Sequence, residues 1–315
     1  MTTSAARTAH TQSARTQAAQ AARTTRTAQP VRGDLAYEYR LVWEASLLVD
    51  PEDPVFFDHP LDHVPAMMLV EGALRLAERA VTVVGSGRRM YTGRAAFRFG
   101  RFCELAPDPV VRVWSADEGV GTWDVEFRQG ETVLGGGEVE WRAVPGGTAG
   151  DAVRAADGPE AEPVPPALVH RAHPENVLIG GFEDGPERAG SGGHRVRMLS
   201  PGPGHYYRRQ SPETRSLGEL MEGIRQFGIL LAHEAREVEL GRHFVVKGVE
   251  VDMERPVGRS EPLVLRSTSL PRQRGRGTGR LGFTIEAGDR PVGAALVSGT
   301  VVSSEAYQRI RGAAR

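Results

Sequence analysis

The sequence predicts an α+β protein built from two tandem copies of one unit, a long central helix wrapped by an antiparallel sheet. Three observations carry this. Residues 56–76, FFDHPLDHVPAMMLVEGALRL, and residues 217–233, LGELMEGIRQFGILLAH, are apolar helix-forming runs. Each holds one glutamate followed by glycine, Glu71 and Glu222, 151 positions apart, and repetition at that scale signals a duplicated unit. Both runs are followed by segments that alternate apolar and polar residues between Gly, Asp and Pro turns, the pattern of an antiparallel sheet with one wet face. The length, 315 residues, suits two domains.

The elements follow in order. Residues 1–33 are rich in Ala, Thr, Gln and Arg, with no acid and few large apolar side chains, and read as a disordered tail. The first unit is expected over 34–145. LAYEYRLVWEASLLV (35–49) suits a strand, a turn-rich approach follows, and a helix is expected over about Met67–Val81. RAAFRFGRFCEL (94–105), VVRVWSAD (110–117), TWDVEFRQ (122–129) and ETVLGGGEVEWRAV (131–144) are then strands. Residues 146–164 are rich in Gly, Pro, Ala and acid without a period, a linker. The second unit is expected over 165–310. Ser216 with Glu219 three positions on predicts a capping box opening a helix that ends near Arg236. HFVVKGVEVDM (243–253), PLVLRSTSL (262–270), GRLGFTIEAG (279–288) and RPVGAALVSGTVVS (290–303) are strands, and SSEAYQRIRG a short closing helix. A helix buried by its own antiparallel sheet, repeated, is the tandem hot-dog arrangement, with the two units packed sheet to sheet. Two unrelated α+β domains are the alternative.

Composition narrows the function. A net charge of -1 argues against a general nucleic-acid binder, which needs a basic surplus. The lone Cys103 leaves no intramolecular disulfide, fits a reducing compartment, and reads as core rather than nucleophile. No run of 18 apolar residues and no secretory h-region occur, so a cytoplasmic protein with no membrane partner is expected. GGG at 135–137 and GSGG at 190–193 do not sit between a parallel strand and a helix, so they read as turns or tight packing points rather than phosphate loops. His59 and His63 are four apart but flank Pro60 and lack a third ligand motif, so no metal and no cofactor are expected.

FFDHPLDHVPAMMLVEGA and FRFGRFCEL, with LVHRAHPENVLIGGF and LMEGIRQFGILLAHEAREVELGRHFVV, resemble segments of the A-factor synthase family, the enzymes of γ-butyrolactone signal biosynthesis in actinobacteria. The resemblance covers about residues 35–305. It implies tandem hot-dog domains, distantly similar to acyl-carrier-protein dehydratases. It also implies an acyltransferase that joins a β-ketoacyl thioester to the hydroxyl of dihydroxyacetone phosphate, followed by an intramolecular condensation to a butenolide. The partners so implied are an acyl-carrier protein or CoA thioester and a small phosphorylated acceptor; a homodimer is compatible with the plan. The chain departs from the family pattern in placing the HPxDHxP half first, in carrying Ala66 where glycine is usual, and in reading EGALR in the first helix against EGIRQ in the second. A hot-dog dehydratase or thioesterase, or a non-catalytic acyl-ligand binding protein, are the alternative functions.

The resemblance points first to Glu222, expected to be buried at the domain interface with a raised pKa as general acid or base. Arg225 and Gln226 share its side of the helix. Arg225 is expected to orient that carboxylate or hold a phosphate, and Gln226 to bind substrate or pin the helix. Glu71 is the equivalent in the first helix, paired with Arg75 at i+4 and expected to matter less. His59 and His63, with Asp58 and Asp62, are expected to fix the helix entry and border the substrate, with general-base use of either histidine the alternative. Arg101 and Arg98 are candidates for an anion contact, although their odd spacing puts them on opposite faces of a regular strand unless Gly100 marks a bulge. Arg208, Arg209, His233 and Arg242 are weaker candidates. The basic loop at 271–280 reads as a mobile hairpin or an attraction for an acidic carrier.

Overall fold

The computed structural model describes residues 25–32, 37–84, 89–115, 121–144, 161–183, 193–268, 279–288 and 290–313. Strands β1 (Thr25–Arg32) and β2 (Tyr37–Ser46) precede helix α1 (Ala66–Val84). Strands β3 (Met90–Phe99), β4 (Val110–Ser115), β5 (Thr122–Gln129) and β6 (Thr132–Ala143) complete the first unit. The second holds β7 (Ile179–Phe182), β8 (Arg195–Met198), the short α2 (Tyr206–Gln210) and the long α3 (Leu217–Arg236). It ends with β9 (His243–Met253), β10 (Leu263–Ser267), β11 (Gly279–Ala287), β12 (Arg290–Val302) and α4 (Ser304–Ala313).

All twelve strands form one antiparallel sheet, ordered β1-β2-β4-β5-β6-β3-β9-β12-β11-β10-β8-β7. The order β2-β4-β5-β6-β3 in the first unit is mirrored by β8-β10-β11-β12-β9 in the second, so the units are related across the β3–β9 ladder. The two sheets are not packed against one another as expected but are joined edge to edge into one, with Arg94 opposite Asp252 and Arg98 opposite Gly248. Residues 25–32 belong to strand β1, not to a disordered tail. They pair antiparallel with β2, and Pro30 is tolerated because β1 is an outer strand. The rest of the expected tail, the 146–160 part of the linker and residues 271–278 of the basic loop lie outside the described residues.

Alternation decides which side of each strand is dry. On β3, Ala95, Phe97 and Phe99 are buried; on β5, Trp123, Val125 and Phe127 are. The α1 stripe of Val70, Ala73, Ala77 and Ala80, all fully buried, fits against this surface. Helix α3 is buried nearly all round, including Glu219, Glu222 and Gln226, so these polar groups need internal partners. Ser216 caps α3 by accepting from Glu219 N at 3.2 Å. The Glu219 carboxylate does not return the bond. It is held instead by Arg215 at 2.9 Å and Arg259 at 2.7 Å, so only half of the expected capping box forms. GGG at 135–137 lies inside β6, where a side chain on Gly137 would meet the Ala96 carbonyl at 1.9 Å. These are close-packing glycines, not a turn.

Candidate active site

Glu222 is the hub of the buried polar face of α3. Its carboxylate accepts from Arg225 Nε and a second guanidinium nitrogen, both at 2.8 Å, and from Gln226 Nε2 at 2.7 Å. Arg171 closes the cluster, donating to Glu222 at 2.6 Å, to the Val55 carbonyl at 2.7 Å, and pairing with Asp58 at 3.3 Å. The chain can aim Arg171 inward because His170 just before it takes a left-handed turn, φ 54°. Gln226 ties α3 to the preceding loop, accepting from Leu178 N and donating to Asn176 O, each at 2.8 Å.

The expected raised pKa of Glu222 is corrected by this cluster. Burial works to raise it, but the guanidinium groups of Arg171 and Arg225, with the Gln226 amide, hold it down to about 2. A carboxylate so firmly ionised is an anchor for two arginines rather than a proton carrier at neutral pH. Nothing in the local pattern around Arg171 marks it, because its partner is 51 residues away in sequence.

The turn before α1 faces this cluster. Asp58 Oδ2 accepts from Ala172 N and Asn176 Nδ2, both at 3.2 Å, which binds the two units together. Its other oxygen lies 2.7 Å from His59 Nδ1. His63 Nδ1 lies 2.8 Å from Asp62 Oδ1. An ionised carboxylate only accepts, so Nδ1 carries the proton and Nε2 keeps its lone pair. Burial pushes the His63 imidazole below its usual value, against the pull of Asp62, so it is neutral at pH 7. Helix α4 returns to brace this dyad. Tyr307 donates to Asp62 at 2.6 Å, and Arg311 binds both Asp62, at 3.3 Å, and Glu104, at 2.7 Å.

Between these groups lies a cavity of about 560 Å³. His59, His63, Arg101 and the first residues of α1 line it from one unit; His170, Glu222, Arg225, Arg242 and His243 line it from the other. Of the two candidate arginines on or beside β3, Arg101 reaches the cavity and Arg98 does not. Arg98 sits on the opposite face of the sheet, as odd spacing dictates, because Gly100 only ends the strand. Arg208 and Arg209 bind the backbone carbonyls of Pro201 and Gly204. His233 Nδ1 sits 2.6 Å from the Val238 carbonyl beyond the end of α3, a structural contact. Cys103 is buried core, its thiol pushed up to about 12 by that burial. His243, stacked on Tyr307 with ring centres 4.2 Å apart, is a cavity residue that period and motif did not mark.

Glu71 occupies the mirrored position, and its surroundings are opposite in kind. Its Arg75 partner is 3.8 Å away and turns to Glu78 at 3.0 Å instead, so the expected i+4 pair is loose. Tyr206 donates to one carboxyl oxygen at 3.3 Å; the other, buried, has no partner. Burial, only partly offset by Arg75 and Tyr206, raises Glu71 to about 7. It borders two small cavities, of about 110 and 200 Å³. Gly218 at the start of α3 makes room for it, since a side chain there would meet the carboxylate at 1.5 Å. Glu71 is thus the glutamate of the pair that titrates near neutrality.

The family model of the A-factor biosynthesis hotdog domain matches residues 36–145 and 153–303. A 70-residue stretch is 39% identical to a 2-oxo-3-(phosphooxy)propyl 3-oxoalkanoate synthase of Streptomyces virginiae, spanning 22% of this chain and 22% of that protein. Among solved structures, the dehydratase domain of the polyketide PpsC from Mycobacterium tuberculosis superposes with a TM-score of 0.52 at 16% identity, covering 89% of this chain and 97% of that one. A TesB protein of Mycobacterium avium subs paratuberculosis gives 0.50 at 14% identity, covering 91% and 98%. These likenesses place the architecture as a double hot-dog.

Proposed function

Because the chain belongs to the A-factor biosynthesis hotdog family, we propose that it is an acyltransferase joining a β-ketoacyl thioester to the hydroxyl of a small hydroxy-ketone phosphate such as dihydroxyacetone phosphate. The observation that carries this reading is one cavity holding a neutral, carboxylate-backed His63 together with Arg101 and Arg225. Transfer to a hydroxyl needs a base at the attacking oxygen, a site for the phosphate, and donors for the charge that develops on the thioester oxygen.

His63 Nε2 takes the hydroxyl proton as the oxygen attacks the thioester carbon. The carbonyl oxygen gains charge beside the N-terminal N–H groups of α1, whose Ala66 and Met67 line the cavity. The carbon–sulfur bond then breaks, and the His63 proton passes to the departing thiolate. The products are an ester and a free thiol. Arg225, fixed in orientation by Glu222, and Arg101, which has no acidic partner among the described residues, hold the acceptor phosphate. In this scheme Glu222 positions the arginines, and His59, backed by Asp58, borders the substrate.

Incubating the purified protein with a β-ketoacyl thioester and dihydroxyacetone phosphate tests the proposal. Acceptor-dependent thiol release with a phosphorylated ester supports it. Thiol release without acceptor would assign a thioesterase, water loss from a β-hydroxyacyl thioester a dehydratase, and saturable binding of unchanged thioester a binding protein.

A further inference from the structure

On the solvent side of the sheet, astride the β3–β9 seam, lies a second cleft of about 730 Å³. One row of cross-strand partners runs through it: Gly136 opposite Arg98, Arg98 opposite Gly248, Gly248 opposite Ser298, and Ser298 opposite Arg280. Two arginines thus flank a floor of one glycine and one serine, three strand spacings apart, or roughly 14 Å between backbones. Arg98 leans over that floor, since a side chain on Gly248 would lie 3.6 Å from Arg98 Cγ. A bulge adds a third cation. Ser298 pairs with Gly248 but Gly299 pairs with Val246, which leaves Lys247 as the extra residue, and Lys247 lines the same cleft.

Arg98, Lys247 and Arg280 have no acidic partner among the described residues. Their neighbours on this face do. Glu138 and Glu250 also line the cleft, and both are bound by Arg94, four residues before Arg98 on the same face. Asp124 lies beyond the glycines, opposite Glu138. The cleft also abuts the active-site cavity. Gly100 lines the cleft while Phe99 and Arg101 line the cavity, and Lys247 lines the cleft while Val246 lines the cavity. Arg98 and Arg101 are three residues apart, about 10 Å along an extended chain.

We propose that Arg98, Lys247 and Arg280 bind the phosphate end of the thiol arm that delivers the acyl group, with the arm crossing Gly100 into the cavity. Two guanidinium forks and an ammonium over a bare backbone floor suit a phosphate ester rather than an apolar chain. This rests on the acyl-thioester reading above. The phosphate has two sources with the same chemistry, CoA and the phosphopantetheine group of a carrier protein.

Titration calorimetry on the full chain separates the cases, using a non-cleavable acyl-CoA thioether, the matching acyl-pantetheine thioether without phosphate, and a carrier protein loaded with the same thioether. The wild type should bind a phosphorylated probe at least tenfold more tightly than the pantetheine probe, by an advantage that shrinks with salt. The Arg98→Ala/Arg280→Ala variant, altered at two exposed positions, should lose most of that advantage and bind pantetheine thioether as before; Lys247→Ala should lose part of it. Loss on the carrier probe alone names a carrier as the source, and loss on CoA alone names CoA. Equal loss on the pantetheine probe, no loss, or no binding of any phosphorylated probe overturns the proposal. If the wild type turns over thioester and acceptor while the variants keep its KM, the cleft idea fails and the acyltransferase stands. Cleft-dependent binding by a wild type that turns over nothing leaves the reverse.

Discussion

Replacing Glu222 with glutamine preserves shape and removes one buried charge. Two guanidinium groups then face a neutral amide; the Arg171 side chain is only 5% exposed and that of Arg225 16%. Two routes give the size of the loss. Depression of the carboxyl from 4.5 to about 2 corresponds to ~3 kcal/mol of folding stability at ~1.4 kcal/mol per pH unit. Removing one partner of a buried ion pair costs about 3–5 kcal/mol. For a chain of this size either figure lowers Tm by roughly 10 °C. The sign fixes the pH window. The folded pKa lies below the unfolded one, so the contribution is complete above pH 4.5 and is lost as pH falls through about 2. Urea unfolding of wild type and Glu222→Gln from pH 8 to pH 4 should therefore show a constant gap above pH 4.5. A gap that closes between pH 7 and pH 5 would mean Glu222 protonates near neutrality, and would restore it as the proton carrier. An unchanged stability at pH 7 would refute the ion cluster itself.

His63→Gln should slow acyl transfer by about 10²–10⁴-fold with little change in melting; since burial holds His63 below 6.5, the acid limb of the wild-type rate profile should lie below that pH, and a limb at pH 7 or above would oppose the assignment. Glu71 behaves in the opposite sense to Glu222. Its folded pKa is raised from 4.5 to about 7, so stability is lost as pH rises through that window, and Glu71→Gln should be neutral at pH 4 but stabilising by up to ~3 kcal/mol at pH 8 in urea unfolding. Gly218→Ala must displace the Glu71 carboxylate, which would sit 1.5 Å from the new methyl, and should cost about 1–3 kcal/mol by thermal melting; a neutral result would mean that Glu71 moves freely.

The elements were legible because local rules agreed with one another. Alternation from Thr122 to Gln129 and from His243 to Met253 marked β5 and β9 to the residue, and Ser216 marked the start of α3. Strand β1 was hidden by the Ala-, Thr-, Gln- and Arg-rich composition around it, and its pairing is with β2. At the site, sequence spacing could place Glu222, Arg225 and Gln226 on one helix, and it separated Arg98 from Arg101. It could not give the protonation state of Glu222, which is set by Arg171, brought in from a loop before β7. Nor could it show that Tyr307 and Arg311 return from the final helix to hold Asp62, since those contacts span 245 and 249 positions. The Glu-Gly step common to both helices thus concealed opposite electrostatics at Glu71 and Glu222.

The β3–β9 ladder sets the two repeats side by side along one seam. The cavity takes Arg101 and His63 from one side of the seam and Glu222 and Arg225 from the other, so neither repeat is a complete gene product. On the proposed mechanism, a truncation that removes either repeat abolishes transfer, however well the remaining half folds. Two alleles damaged in different halves have a route to rescue one another, because the edge that joins the units within one chain presents the same backbone pattern to a half supplied from another. The mirrored units share one sheet, so in this scheme a lesion in either repeat is read out at the same site.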